Sequence, residues 1–485
     1  MAVDDDAGRL RLRIFAFVAL SLFGALVARL WYLQGIETEV LQAEALTNVL
    51  EPVFEEAPRG RILDRNGRVL VDNEVVQVVT VDRNVVASMG DEERFDLYHR
   101  LAVAISRSGR LTKVTSIEQE VADPAYGPFD DVAVAVGVDP GLLVFLGERP
   151  ELFPGVRVVQ RTVRSYPYGN LAAHLLGYVG PITRSEWEAA NAVIDFAEPG
   201  AKTYQLNDEI GKTGVERIFE DELRGVPGVR FLEVDNRGEV IRERVELGRE
   251  PRPGNDVWLT IDVDLQARAE AELAGGLDRA RDRVADAGEP RFAAEAGSVV
   301  AIDPRDGGVL AMASFPTYDP SEFINGISTA QFELLTSPDN YSPILNRAIQ
   351  GNYAPGSTFK VVTALAAVTQ GVLGPDSELG DVDTRLPDAG VYVYPFCEDE
   401  FEAADTCLFE SPRKGLPEAS FDLAEAITVS SDVYFYRLGG EGFWRRPAGP
   451  DGDEGIQATA RSLGLGAGSG VQLPYERAGV VPDRD

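Results

Sequence analysis

The chain has 485 residues and sets 46 Lys+Arg against 79 Asp+Glu, a formal charge of −33, which argues against non-specific binding to nucleic acid or other polyanions. Its only two cysteines, Cys397 and Cys407, exclude a disulfide-rich scaffold and a four-cysteine zinc site. At roughly 150 residues per domain, the length predicts two to three domains.

Arg9, Arg11 and Arg13 precede an apolar run from Ile14 to Ala28, which resumes after Arg29 and continues to Leu33. Its length matches the ~20 residues needed to cross the hydrocarbon of a bilayer, and Trp31 and Tyr32 suit the interface. The arginines mark the cytoplasmic side, so 1–13 reads as a cytoplasmic tail, 14–34 as a membrane anchor, and the rest as extracytoplasmic. A cleavable signal peptide is the competing reading, but Ala28, the one alanine placed for cleavage, has bulky Leu26 two residues before it. A buried soluble helix fits less well, given arginines, then apolar residues, then aromatics.

After the anchor, "LQAEALTNVLEPVFEEAP" predicts a juxtamembrane helix. "RGRILDRNGRVLVDN" (Arg59 to Asn73) predicts two strands around an Asn66-Gly67 turn. From there to about Gly254, short β-rich pieces ("VVQVVTVD", "VRVVQRTV", "VRFLEVDNRGEVIRERV") alternate with helical ones ("RSEWEAANAV", "VERIFEDELRG"), which suggests an elongated α+β module without internal repeats. Near residue 250 the character changes to a strand leading into an amphipathic helix, followed by "GSVVAIDPRDGGVLAMASF", two apolar strands around Asp-Gly-Gly that would start an antiparallel sheet.

The C-terminal half has no histidine, the two in the chain being His99 and His174, and only two lysines, Lys360 and Lys414. Ser-His-Asp and Cys-His catalysis and histidine-ligated zinc are therefore excluded there, and a serine nucleophile would need lysine or a carboxylate to activate it. In "NYAPGSTFKVVTALAAVTQG", Ser357 follows Pro355-Gly356 at the start of a helix-forming run, and Lys360 lies one turn further on. That spacing predicts an ammonium folded over the hydroxyl. Phe359, Val361, Val362 and Leu365 should desolvate the amine and lower its pKa from ~10.4 toward that of a general base. The helix N-terminus would add N–H groups and a positive field for an oxyanion. An ordinary serine N-cap is the bland reading.

Ser411-Pro412-Arg413-Lys414 has the same S-x-x-K spacing, but Gly415 and Pro417 follow, so Ser411 reads as a loop residue. Further on, "DLAEAITVSSDVYFYRLG" sets Ser430-Ser431-Asp432 at a break between two helical runs. Ser430 could pass the nucleophile's proton to a leaving amine, and Asp432 could hold the substrate backbone and the lysine. Ser337-Pro338-Asp339 matches the triplet as well but reads as a turn.

With S-T-F-K followed by S-S-D, the sequence resembles the penicillin-binding transpeptidases, whose motif order is S-x-x-K, S-x-N or S-x-D, then K-T-G. "RGRILDRNG" (Arg59 to Gly67), "AAHLLGYVG" (Ala172 to Gly180), "GKTGVERIFEDELRG" (Gly211 to Gly225), "LTIDVDLQ" (Leu259 to Gln266) and "NRAIQGNYAPGSTFK" (Asn346 to Lys360) are similar to landmarks of the class B, single-span type. Asp432 and "VERIFEDELRG" resemble the elongation-type penicillin-binding protein 2 more than the division-type protein 3.

The resemblance implies an α+β fold: a single transmembrane helix, a non-catalytic pedestal over 35–250 in which His174 is structural, and a transpeptidase domain over 251–485 built as an antiparallel sheet flanked by helices. It implies a serine acyl-enzyme D,D-transpeptidase with catalytic residues Ser357, Lys360, Ser430 and Asp432 and no cofactor or metal. Implied partners are peptidoglycan stem peptides, β-lactams and a polytopic membrane glycan polymerase, in cell-wall elongation and shape maintenance. A β-lactam-sensing receptor and a non-enzymatic scaffold regulating a glycan polymerase are the alternatives.

The family's third motif belongs on a strand after Ser430, yet no lysine follows Lys414. Lys212-Thr213-Gly214 spells K-T-G, but inside a pedestal landmark, and reads as coincidental. The expectation is a truncated chain whose sheet lacks its C-terminal strands. Between the motifs, "CEDEFEAADTC" joins Cys397 to Cys407. Outside the cytoplasm a disulfide is the first reading of this loop, ahead of free thiols and of a metal site among its carboxylates.

Overall fold

The structure, a computed structural model, describes residues 5–35, 50–192, 203–235, 239–284, 291–324, 326–395, 407–444 and 455–482. Helix α1 (Asp5–Gly35) contains an apolar stretch, Leu12–Tyr32, of 21 residues. At 1.5 Å per residue it is about 31 Å long, enough to cross a bilayer. The remaining described residues divide into two compact units, one reaching Asp264 and including Asp319–Phe332, the other made of Leu265–Tyr318 and Glu333–Asp485.

Strand β1 (Leu50–Glu55) corrects part of the expected juxtamembrane helix; residues 36–49 lie outside the described residues. Pro52 would break a helix interior, and a non-local partner supplies the alternative. Strand β1 pairs antiparallel with β8 (Gly228–Val234), from Leu50 opposite Glu233 to Glu55 opposite Gly228, and β9 (Val240–Glu243) adds a third strand.

The expected hairpin forms between β2 (Ile62–Leu63) and β3 (Val69–Asp82), with Gly67 at φ +83° in the turn. At 14 residues, β3 is the spine of the unit. It pairs antiparallel with both β4 (Asp131–Val136) and β5 (Val156–Ser165), while β10 (Val257–Trp258) lies parallel to β2. Its buried Val79 and Val81 meet Leu97, Leu101 and Ile105, which recur every fourth residue along helix α2 (Asp91–Arg107) and so form one apolar stripe.

Two of the sequence landmarks are backbone crossings. A side chain on Gly177 (φ +78°) would come within 2.0 Å of the Thr213 carbonyl oxygen, and one on Gly214 (φ +60°) within 2.5 Å of the Leu175 carbonyl oxygen. A third landmark feeds a buried ion network. Glu216 is fully buried and takes Arg164 Nε at 2.6 Å and Arg59 Nη2 at 2.9 Å, and Arg59 also reaches Glu220 at 2.8 Å. Arg164 Nη1 further donates to the Gly60 carbonyl and to Asn73 Oδ1. Burial alone would raise the Glu216 carboxyl, but Arg164 and Arg59 hold it below its ordinary range. His174 is buried, in keeping with the structural part expected of it.

In the second unit, helix α5 (Val263–Arg281) carries Gln266, whose buried amide donates to the Met312 carbonyl at 2.8 Å and accepts the Met312 N–H at 2.7 Å. That pair ties the helix to β12 (Val309–Phe315), which forms the expected antiparallel pair with β11 (Gly297–Ile302). Helix α6 (Lys360–Thr369) buries Thr363, Ala364, Ala366 and Ala367, and its small residues let it pack closely in a core shared with Ala426, Tyr434, Phe435 and Leu438.

Candidate active site

Ser357 lies in a single 3₁₀ turn, Gly356–Phe359, entered through Gly356 at φ +56°, and the α-helix proper begins only at Lys360. This refines the expected helix start: first turns are commonly 3₁₀. The serine is exposed and open to solvent.

The second motif folds as the sequence predicts. Helix α7 (Leu423–Thr428) opens with a capping box between Asp422 and Glu425, the chain breaks at Ser430, and helix α8 (Asp432–Arg437) begins under a Ser431 cap. Ser430 sits at φ +56°, a left-handed conformation that a residue with a β-carbon adopts only when its surroundings hold it there.

Lys360, its side chain 13% exposed, joins the two motifs. Its Nζ donates to the Ser430 carbonyl at 2.8 Å and to Ser430 Oγ at 3.1 Å, and forms an ion pair with Asp432 Oδ1. Phe435 lies beneath, its ring centre 5.7 Å from the amine. The expectation that the ammonium folds over Ser357 is therefore corrected: among the described residues the Ser357 hydroxyl has no hydrogen-bond partner. A carboxyl group and a carbonyl on one turn attract the amine more strongly than a neutral hydroxyl does.

The expected apolar collar is also corrected. Because α6 buries its 363/364/366/367 face, Val361 and Leu365 are 60% and 43% exposed and do not enclose the amine. Its surroundings are polar on the Ser430 side and aromatic below.

The look-alike motifs have structural uses. Ser411 accepts the Arg413 N–H at 3.1 Å in a loop, and Lys414 pairs with Glu410. Lys212 pairs with Glu186 at 2.6 Å. Ser337-Pro338-Asp339 lies at a short 3₁₀ turn. Cys407 is buried and disulfide-bonded; Cys397, the other cysteine, and the acidic loop after it lie outside the described residues.

Sequence reasoning assigned no role to Ser431, the middle residue of the triplet. Its hydroxyl is fully buried, accepts the Tyr434 N–H at 3.1 Å and donates to Asp388 Oδ2 at 2.6 Å. A serine immediately before Asp-Val-Tyr-Phe, opening a helix, was the available signal for the cap. Nothing local signalled Asp388.

Residues 54–259 match the model of the penicillin-binding protein dimerisation domain, and residues 297–394 that of the penicillin-binding protein transpeptidase domain. The second match contains Ser357 and Lys360 and ends before Ser430. The chain thus carries the dimerisation and transpeptidase domains of the penicillin-binding proteins. Within that family it is similar to the elongation-type penicillin-binding protein 2.

It is 30% identical to the peptidoglycan D,D-transpeptidase MrdA of Acinetobacter baumannii over 97% of this chain and 61% of that one. To MrdA of Escherichia coli K12 it is 29% identical over 99% of this chain and 66% of that one. It thus spans 61% and 66% of the length of these curated relatives. Among solved structures, a peptidoglycan synthase complex that coordinates polymerization and crosslinking aligns at TM-score 0.59 and 28% identity, over 98% of this chain and 70% of that one. Helicobacter pylori PBP2 in complex with MreC shares the fold at TM-score 0.66 and 22% identity, over 90% of this chain and 69% of that one.

Proposed function

We propose that the chain is a peptidoglycan D,D-transpeptidase of cell-wall elongation, working through a serine acyl-enzyme at Ser357. The observation that carries this is the Lys360 amine, three residues beyond the exposed Ser357 and held by Ser430 and Asp432. Ser357 Oγ attacks the carbonyl of the penultimate D-Ala of a stem peptide while Lys360 takes its proton. The free N–H groups at the start of the Gly356–Phe359 turn would be donors for the developing oxyanion.

Ser430, hydrogen-bonded to Lys360, relays the proton to the departing D-Ala nitrogen as the C–N bond breaks, and Asp432 keeps the lysine in place. An amine from a neighbouring strand then attacks the ester, forming the cross-link and returning a proton to Ser357. β-Lactams acylate the same serine. No cofactor or metal enters this chemistry.

Residues 14–34 anchor the protein as a single span with the bulk of the chain extracytoplasmic, and 35–250 and 251–485 act as pedestal and transpeptidase domain. A polytopic glycan polymerase is the partner proposed, in line with the synthase complex formed by a solved relative. Labelling with a fluorescent penicillin tests the core of this reading. Ser357→Ala should abolish covalent labelling and Ser411→Ala should leave it intact; label surviving on Ser357→Ala would overturn the assignment.

A further inference from the structure

The Ser430–Asp432 triplet is fixed from behind by a second buried pair. Asp388, 1% exposed, closes strand β13 (Leu386–Asp388), which pairs with β16 (Ala419–Phe421). Its Oδ2 accepts the Ser431 hydroxyl at 2.6 Å, its Oδ1 accepts the Gly390 N–H at 2.8 Å, and Arg413 Nε lies 3.7 Å from Oδ2. Ser431, in turn, receives the Tyr434 N–H at 3.1 Å, and its own N–H reaches the Ala426 carbonyl at 2.9 Å. The middle residue of the triplet is thus bonded to β13, to α7 and to α8 at once, while its two neighbours hold Lys360.

A buried hydroxyl and carboxyl that lose each other are costly to leave unpaired, so this arrangement holds one geometry firmly. Ser430 needs such support, because its left-handed backbone at φ +56° is otherwise disfavoured.

We propose that Asp388 is a positioning residue for acylation: through Ser431 it fixes the left-handed turn at Ser430, and with it the Ser430 hydroxyl and Asp432 carboxyl that aim the Lys360 amine. This rests on the reading of Ser357 and Lys360 as nucleophile and base. It assigns no contact with substrate to Asp388.

The test is a double-mutant cycle on the full-length, membrane-anchored protein, using Asp388→Ala, Ser431→Ala and both together, with Asp388→Asn as the conservative variant. A labelled penicillin gives two readouts, the acylation rate constant and the final labelled fraction. Displacement of catalytic groups by even ~1 Å slows chemistry strongly, so each single alanine variant should acylate roughly 10- to 100-fold more slowly while reaching the same final labelled fraction. The double variant should be no slower than the slower single, because both act through one contact. Asp388→Asn keeps the size and one acceptor, fits the site without a cavity, and should fall between.

Wild-type rate constants in Asp388→Ala and Asp388→Asn, losses that multiply in the double variant, or a reduced labelled fraction at an unchanged rate constant would each overturn the proposal. If Asp388→Ala does not fold, Asp388→Asn and Ser431→Ala decide it by rate constant alone. An unmodified protein that takes no label on Ser357 would instead overturn the functional reading beneath it.

Discussion

In the first unit Glu216 is fully buried between Arg59 and Arg164, whereas in the second Lys360 is held by Asp432 and by Ser430, whose left-handed backbone is exposed. Both clusters pair cations with carboxyl groups, but to different ends. Around Glu216 the partners are two rigid guanidiniums, that of Arg164 also donating to the Gly60 carbonyl and Asn73 Oδ1 while the Asn73 amide donates to the Arg59 carbonyl, so the cluster fixes how segments around residues 59, 73, 164 and 216 cross. At Lys360 the cation is a primary amine held by an exposed turn, three residues beyond the exposed Ser357. Arginine suits a permanent strut and lysine a proton carrier.

Exchanging the cation type at the second cluster should have the largest effect. Lys360→Arg preserves charge and much of the contact with Asp432 but cannot act as a base near neutral pH. It should slow penicillin acylation about as much as Lys360→Ala, on the order of 100- to 10,000-fold. Near-normal acylation by the arginine variant would make Lys360 an electrostatic strut like Arg164.

At the first cluster the loss should appear in stability. Glu216→Gln leaves the buried Arg164 guanidinium without its charge partner and Arg59 with Glu220 alone, and should lower the unfolding free energy by about 3–5 kcal/mol, with the rate constant of the remaining folded protein unchanged. The same group gives the acid response. Because its folded pKa is depressed, the stabilisation is present above its ordinary value of 4.5 and is lost as pH falls below it. Thermal melts of wild type should therefore fall on acidification below that value, and Glu216→Gln should flatten the dependence. The smallest effect is expected at Lys212, whose pair with Glu186 is partly exposed: Lys212→Ala should cost under ~1 kcal/mol and leave acylation untouched.

What could be read from sequence follows the range of the interactions. The long apolar N-terminal helix, the Asn66-Gly67 hairpin, the β11–β12 pair and the break at Ser430 are each specified within a few residues, by apolar length, turn chemistry or capping, and the structure bears them out. Strand β1 was misread because its identity comes from pairing with residues near 230, and only Pro52 hinted against a helix. The direction of the Lys360 amine escaped for the same reason. Helical spacing put it near Ser357, but its three acceptors lie 70 and 72 residues further on. Asp388 was invisible among 79 acidic residues, since only folding brings it to Ser431.

The proposed mechanism routes acyl transfer through Ser357 with Lys360 as its base. Peptide mapping by mass spectrometry of the penicillin-treated protein, beside its Lys360→Arg variant, tests it most directly. The account predicts a single acyl adduct on the peptide containing Ser357 and almost none in the variant over the same time. An adduct on Ser411 or Ser430, or one formed on Ser357 at the wild-type rate in Lys360→Arg, would contradict it.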